Sequence, residues 1–153
     1  MNEGIEETTK MKLPKLLIIL SITVSIIVTA INLEFLADVS PSLHHALWSS
    51  LYIAIWAGLA TYSIKNKHTS YLVYTLIFWG LTALSCANLI FDDFISSSIG
   101  LFIRLVLLPL HLSSYALDYF TNGLTVLLIL AIGFTVVNIV GIYNINNSKK
   151  QKH

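Results

Sequence analysis

Residues 71–91 read YLVYTLIFWGLTALSCANLIF, twenty-one residues without an Asp, Glu, Lys or Arg. A helix of that length rises about 31 Å, which matches the hydrocarbon thickness of a bilayer. On either side lie further blocks of similar length without Lys or Arg, at residues 16–36, 46–64 and 123–143. Ser40 before Pro41 offers an N-cap and a first-turn proline, so the second helix is expected to start slightly ahead of its apolar block. The resulting spans are about 16–36, 43–64, 71–91 and 123–144. A soluble domain must show polar faces to water, and these segments supply none.

Composition agrees with this reading. The chain has 153 residues, 56% hydrophobic and 11% charged, with no repeat, low-complexity tract or Pro-rich linker. It is read as one multi-pass membrane domain over 1–153. A net charge of +1 provides neither a basic field for nucleic acid nor an acidic tail for a basic partner. The single cysteine, Cys86, excludes an intramolecular disulfide and is expected to serve as a small buried apolar residue. Lys10, Lys12 and Lys15 ahead of an apolar run ending in Val28-Thr29-Ala30 have the layout of a secretory signal. The run continues to Leu36, so an uncleaved first helix is expected.

The lysines orient the chain. With the N-terminus inside, Lys10, Lys12, Lys15, Lys65, Lys67, Lys149, Lys150 and Lys152 all fall in cytoplasmic segments, and Arg104 alone falls outside. Both termini are therefore expected in the cytoplasm, with the protein in the cell membrane. Residues 95–112 are apolar enough to compete as a fifth crossing, since their aliphatic residues offset an insertion cost of roughly 2.5–3.5 kcal/mol for Arg104. Five crossings would force a lysine cluster outside, so four are expected. Residues 95–119 then form an interfacial or re-entrant helix between the third and fourth spans. Its polar residues Ser97, Arg104, His111 and Asp118 recur every seven positions and draw one stripe, and Pro109 bends it. The fold class is an all-α integral membrane protein, a four-helix transmembrane bundle with that additional element.

Helices in lipid associate through small residues and occasional hydrogen bonds. Ser21, Ser25, Thr29 and Asn32 form such a stripe in the first span, Ser50, Ala54 and Gly58 in the second, Gly80, Ala83 and Ala87 in the third, and Ala131, Thr135 and Asn138 in the fourth. Ser21, Ser25, Gly58, Gly80 and Ala83 are the packing positions singled out. Lys65-Asn66-Lys67-His68 makes a short hairpin whose helices should pack side by side. Trp48, Tyr71, Tyr74, Tyr115 and Tyr119 are expected at headgroup level.

One constellation could carry chemistry. Every acid after residue 7 falls on the outer side, namely Glu34, Asp38, Asp92, Asp93 and Asp118, together with His44, His45, His111 and Arg104. Arg104, surrounded by Phe102, Ile103, Leu105 and Val106, must snorkel, face water or pair with Asp92, Asp93 or Asp118. The candidate outer-face cluster is Arg104, His111, Asp92, Asp93, Asp118, Glu34, Asp38 and His44. No metal-ligand spacing recurs, and no phosphate loop, zinc-protease motif or nucleophile elbow is present, so no catalytic residue, metal or cofactor is assigned.

The expected function is that of a non-enzymatic accessory, regulatory or immunity-type protein acting through helix contacts in the bilayer. A small homo-oligomeric transporter or sensor with an outer-facing charged site is the alternative. Expected partners are the lipid bilayer and another membrane protein or a second copy as a homodimer, with no nucleic acid. Ile, Lys, Asn and Ser usage suggests a bacterial source.

Overall fold

The structure, a computed structural model, describes residues 3–33, 40–90 and 116–150, with side chains from residue 13 onward. Described residues are all helical apart from turns and short connections. Four helices among them are long and apolar enough to cross a membrane: α1 (Glu3–Asn32), α2 (Leu43–Lys65), α3 (Thr69–Ile90) and α4 (Gly123–Lys150). In α1 the apolar stretch is Leu13–Asn32, preceded by charged turns that Pro14 divides from it. Residues 34–36 of the expected first span, and 95–115 of the expected interfacial or re-entrant element, lie outside the described residues. Of the latter's end, Ala116 and Leu117 are buried and the chain turns through 118–120.

Local chemistry sets each boundary. The N-cap of α2 is Ser42, in extended conformation, rather than the expected Ser40, and Pro41 precedes the helix instead of opening it. Ser42 Oγ shares a hydrogen bond of 2.6 Å with His45 Nδ1, and the Ser42 carbonyl accepts the Ala46 N–H. Between α2 and α3 the chain reverses over 66–68, with Lys67 in the left-handed region at φ 60°. At α4, Asn122 Oδ1 accepts the Thr125 N–H at 3.1 Å, the bond of a helix N-cap. At 28 residues α4 is about 42 Å long, longer than a bilayer core, and its last turns carry Lys149 and Lys150.

The helices do not form a closed square. α2 and α3 pack against one another and each touches both remaining helices, whereas α1 and α4 lie on opposite sides of that pair without extensive contact. α3 and α4 approach most closely. Their facing residues show why: Leu72, Thr75, Trp79, Thr82 and Cys86 on α3 are buried at alternating steps of three and four. On α4, buried Leu127, Ala131, Asn138, Gly141 and Ile145 keep the same rhythm once half-buried Phe134 is included. A repeat of 3.5 is the seam of a left-handed pair. At Gly141 the same helix also closes on α2, since a β-carbon there would lie 2.8 Å from Ile64 Cγ1.

Aromatic rings fill the centre. Val28, Tyr52, Trp56, Trp79, Cys86, Leu127 and Ala131 form the core. Trp56 stacks on Phe78 at 4.7 Å, Trp79 stacks on Phe134 at 4.4 Å, and the two indoles meet edge to face at 5.5 Å. Tyr71, expected at headgroup level, is fully enclosed by neighbouring helices, and Tyr74 stacks toward Trp56 and Phe78. The exterior is aliphatic on every helix, with Ile19, Leu47, Ile77 and Ile129 each at least half exposed.

The packing stripe expected on α2 faces away from the bundle. Ser50, Ala54 and Gly58 are exposed, and a β-carbon on Gly58 would meet nothing within 4 Å. The helix turns inward along His45, Ala46, Ser49, Tyr52, Trp56, Ala60 and Ser63. Tyr52 and Trp56 take the centre of the interior face, flanked by the small residues Ala46, Ser49, Ala60 and Ser63, and the stripe of Ser50, Ala54 and Gly58 is left outside. Gly80 also has open space around it, while Ala83 packs against the core and Ser21 and Ser25 are buried.

Candidate functional site

A polar side chain inside an apolar bundle must find a partner there, because lipid offers none. In α1, Ser21, Ser25 and Asn32 fall at steps of four and seven on one face, and all three are buried. Ser21 Oγ donates to the carbonyls of Leu17 and Ile18, and Ser25 Oγ donates to that of Ser21, the local back-bonding open to small hydroxyls on helices. Higher on the same face the bonds cross to α2. Ser25 Oγ and Tyr52 OH share a bond of 2.9 Å, and Asn32 Nδ2 donates to Ser49 Oγ at 3.1 Å.

A second crossing joins α3 to α4. Thr75 Oγ1 donates to Asn138 Oδ1 at 2.8 Å, and Asn138 Nδ2 donates to the Phe134 carbonyl one turn back. Both residues are fully buried. Among the described residues seven buried side-chain atoms have no hydrogen-bond partner: Asn32 Oδ1, Trp56 Nε1, Ser63 Oγ, His68 Nε2, Thr69 Oγ1, Tyr71 OH and Trp79 Nε1. The interior therefore carries a line of polar groups on each side of the α2–α3 pair, with the aromatic stack between them.

The outer-face cluster expected from sequence is only partly placed. Glu34, Asp38, Asp92, Asp93, Arg104 and His111 lie outside the described residues. Asp118 is exposed in the turn before α4, and its Oδ1 accepts the Gly123 N–H at the helix start. His44 is exposed on the first turn of α2, where its Nε2 accepts the Trp48 Nε1–H at 2.9 Å across a T-shaped ring contact. Each of the two is engaged by its own helix end. Among the described residues no group of three His, Cys, Asp or Glu gathers to hold a metal ion. No family model, curated protein or solved structure matches the chain.

Sequence reasoning placed Ser25, Asn32 and Asn138 in its polar stripes but not their partners Tyr52, Ser49 and Thr75. Thr75 falls on the alternation of steps of three and four along the α3 seam, whereas Ser49 and Tyr52 lie on the buried face of α2, which follows no such alternation. Gly141 was missed because a size rule alone ranks every glycine equally.

Proposed function

We propose that this chain is a multi-pass protein of the cell membrane, with both termini in the cytoplasm, that acts without catalysis through helix contacts inside the bilayer. Three features support the membrane reading. Aliphatic side chains cover the outer face of every helix, polar side chains are turned inward and bonded to one another, and the lysine bias gives one consistent orientation. Core contacts by Val28 and the Ser25–Tyr52 bond make α1 an integral part of the bundle, which favours an uncleaved first helix.

The observation that carries the function is the outward face of α2. Ser50, Ala54 and Gly58 are small residues at steps of four that the described helices do not pack against. Such a face lets a second helix approach closely, which is how helices recognise one another in lipid. The second helix belongs to another membrane protein or to a second copy of this chain.

Gly58→Leu tests this, because a β-carbon at that position meets nothing within 4 Å among the described residues. Cross-linking and purification in mild detergent should recover a complex with the wild type and lose it with Gly58→Leu, at unchanged protein level. A monodisperse monomer without a partner, or a complex indifferent to Gly58→Leu, would overturn the reading.

A further inference from the structure

At the lysine-rich end of the bundle, a half-open cavity of about 540 Å³ lies between the start of the apolar stretch of α1, the 66–68 turn and the end of α4. Its walls are Leu13 and Pro14 on one side, Asn66 to Ser70 on another, and Lys149 on the third. Two cations from separate elements, Lys67 and Lys149, border it, and neither has an acidic partner among the described side chains. The left-handed conformation of Lys67 is what turns the chain along this wall.

The rest of the lining suits an anion. The amino end of the 22-residue α3 forms part of it, where the helix dipole favours negative charge. Turn carbonyls of Lys67 and His68 take up the N–H groups of Thr69, Tyr71 and Leu72, a set that leaves out the Ser70 N–H. Ser70 also brings an exposed hydroxyl. Half-buried His68 and Thr69 complete this wall. Beside these polar groups, Leu13 and Pro14 lead onto the exposed aliphatic face of Leu16, Ile19 and Leu20. A ligand with an anionic oxygen-rich head and an apolar continuation fits both halves.

We propose that this cavity binds a phosphate group, held by Lys67 and Lys149 and by the Ser70 end of α3. The phosphate is carried by an anionic phospholipid or is free in solution. The lipid form rests on the membrane reading above, and the free form does not.

The test uses the full chain purified in detergent, with native mass spectrometry and thermal melting as readouts. Phosphatidylglycerol is titrated in one arm and inorganic phosphate in another, with phosphatidylcholine as the zwitterionic reference. Wild type should retain phosphatidylglycerol over phosphatidylcholine and melt higher with it, and K67Q/K149Q should weaken binding roughly thirtyfold, the effect of two lysines near an anionic surface. K65Q/K150Q removes the same charge from exposed positions outside the cavity and should keep most of the affinity.

Binding of the lipid but not of inorganic phosphate identifies a headgroup site, and binding of inorganic phosphate identifies a free-anion site; both sustain the proposal. Equal weakening by the two double variants means diffuse surface charge and overturns it, as does binding that K67Q/K149Q leaves intact, or no binding in either arm. Failure of the membrane reading is seen separately, as protein that stays in the aqueous fraction without detergent.

Discussion

A β-carbon added to Gly141 would stand 2.8 Å from Cγ1 and 3.1 Å from Cδ1 of Ile64, and 3.5 Å from Leu72 Cδ1. Ile64 would have to yield near its base, where a branched side chain has little freedom. Gly141→Ala is therefore expected to cost about 1–3 kcal/mol through overpacking. Gly133 on the same helix has nothing within 4 Å, so Gly133→Ala should only gain helix propensity, about 1 kcal/mol. Melting in detergent should separate the pair in opposite directions, and equal shifts would mean that α4 does not approach Ile64. A second residue-level expectation concerns Thr75 and Asn138. Thr75→Val leaves Asn138 Oδ1 without its donor in a fully buried place. A double-mutant cycle with Asn138→Leu should return a coupling of about 0.6–1.7 kcal/mol. Zero coupling would show that the bond does not hold α3 to α4.

Helices were legible as helices because hydropathy over about 20 residues reports length, and length decides crossing. Their facing was not. In lipid both sides of a helix are apolar, so no amphipathic signal says which side turns inward, and small residues mark close approach without saying to whom. α2 shows the difficulty. Ser50, Ala54 and Gly58 repeat every four residues and so do many of its buried positions, yet the interior went to Tyr52 and Trp56 because their rings fill the space beside Phe78 and Trp79. Two nearby substitutions test the facing directly. Ala60, 3% exposed, should lose stability on conversion to Leu, by about 1–3 kcal/mol, while Gly58→Leu should not lower the melting temperature. The reverse order would mean that α2 is turned the other way. Of the candidate site, charge type was readable and local duty was not. Asp118 and His44 were grouped by their side of the membrane, whereas their bonds to Gly123 and Trp48 belong to helix starts. Lys67 and Lys149 served only to count charge, since nothing in one dimension places the end of α4 beside the 66–68 turn.

For the molecule as a whole, connection lengths constrain consecutive helices and leave the others undetermined. The short reversal at 66–68 makes α2 and α3 neighbours, but the central place of that pair, with α1 and α4 apart, follows from rings and seams that only three dimensions reveal. Orientation is open to a direct measurement. Cys86 is fully buried and can stay in place, so single cysteines at Ser42 and Ser148 report alone to an impermeant thiol reagent. Ser42 should label in intact cells and Ser148 only after the cells are opened. The opposite pattern would reverse the topology, and equal labelling would mean an odd number of crossings. The edge-to-face meeting of Trp56 and Trp79 at 5.5 Å and 81° also gives the protein an optical signature. Transitions on two indoles so close couple into a pair of circular-dichroism bands of opposite sign, which exists only while α2 and α3 are docked. Trp48, 37% exposed and the remaining tryptophan, stands apart from that pair, and its emission is open to quenching by brominated lipid chains. Without any label, the chain thus reports its own assembly through one pair of chromophores and its surroundings through a single third one.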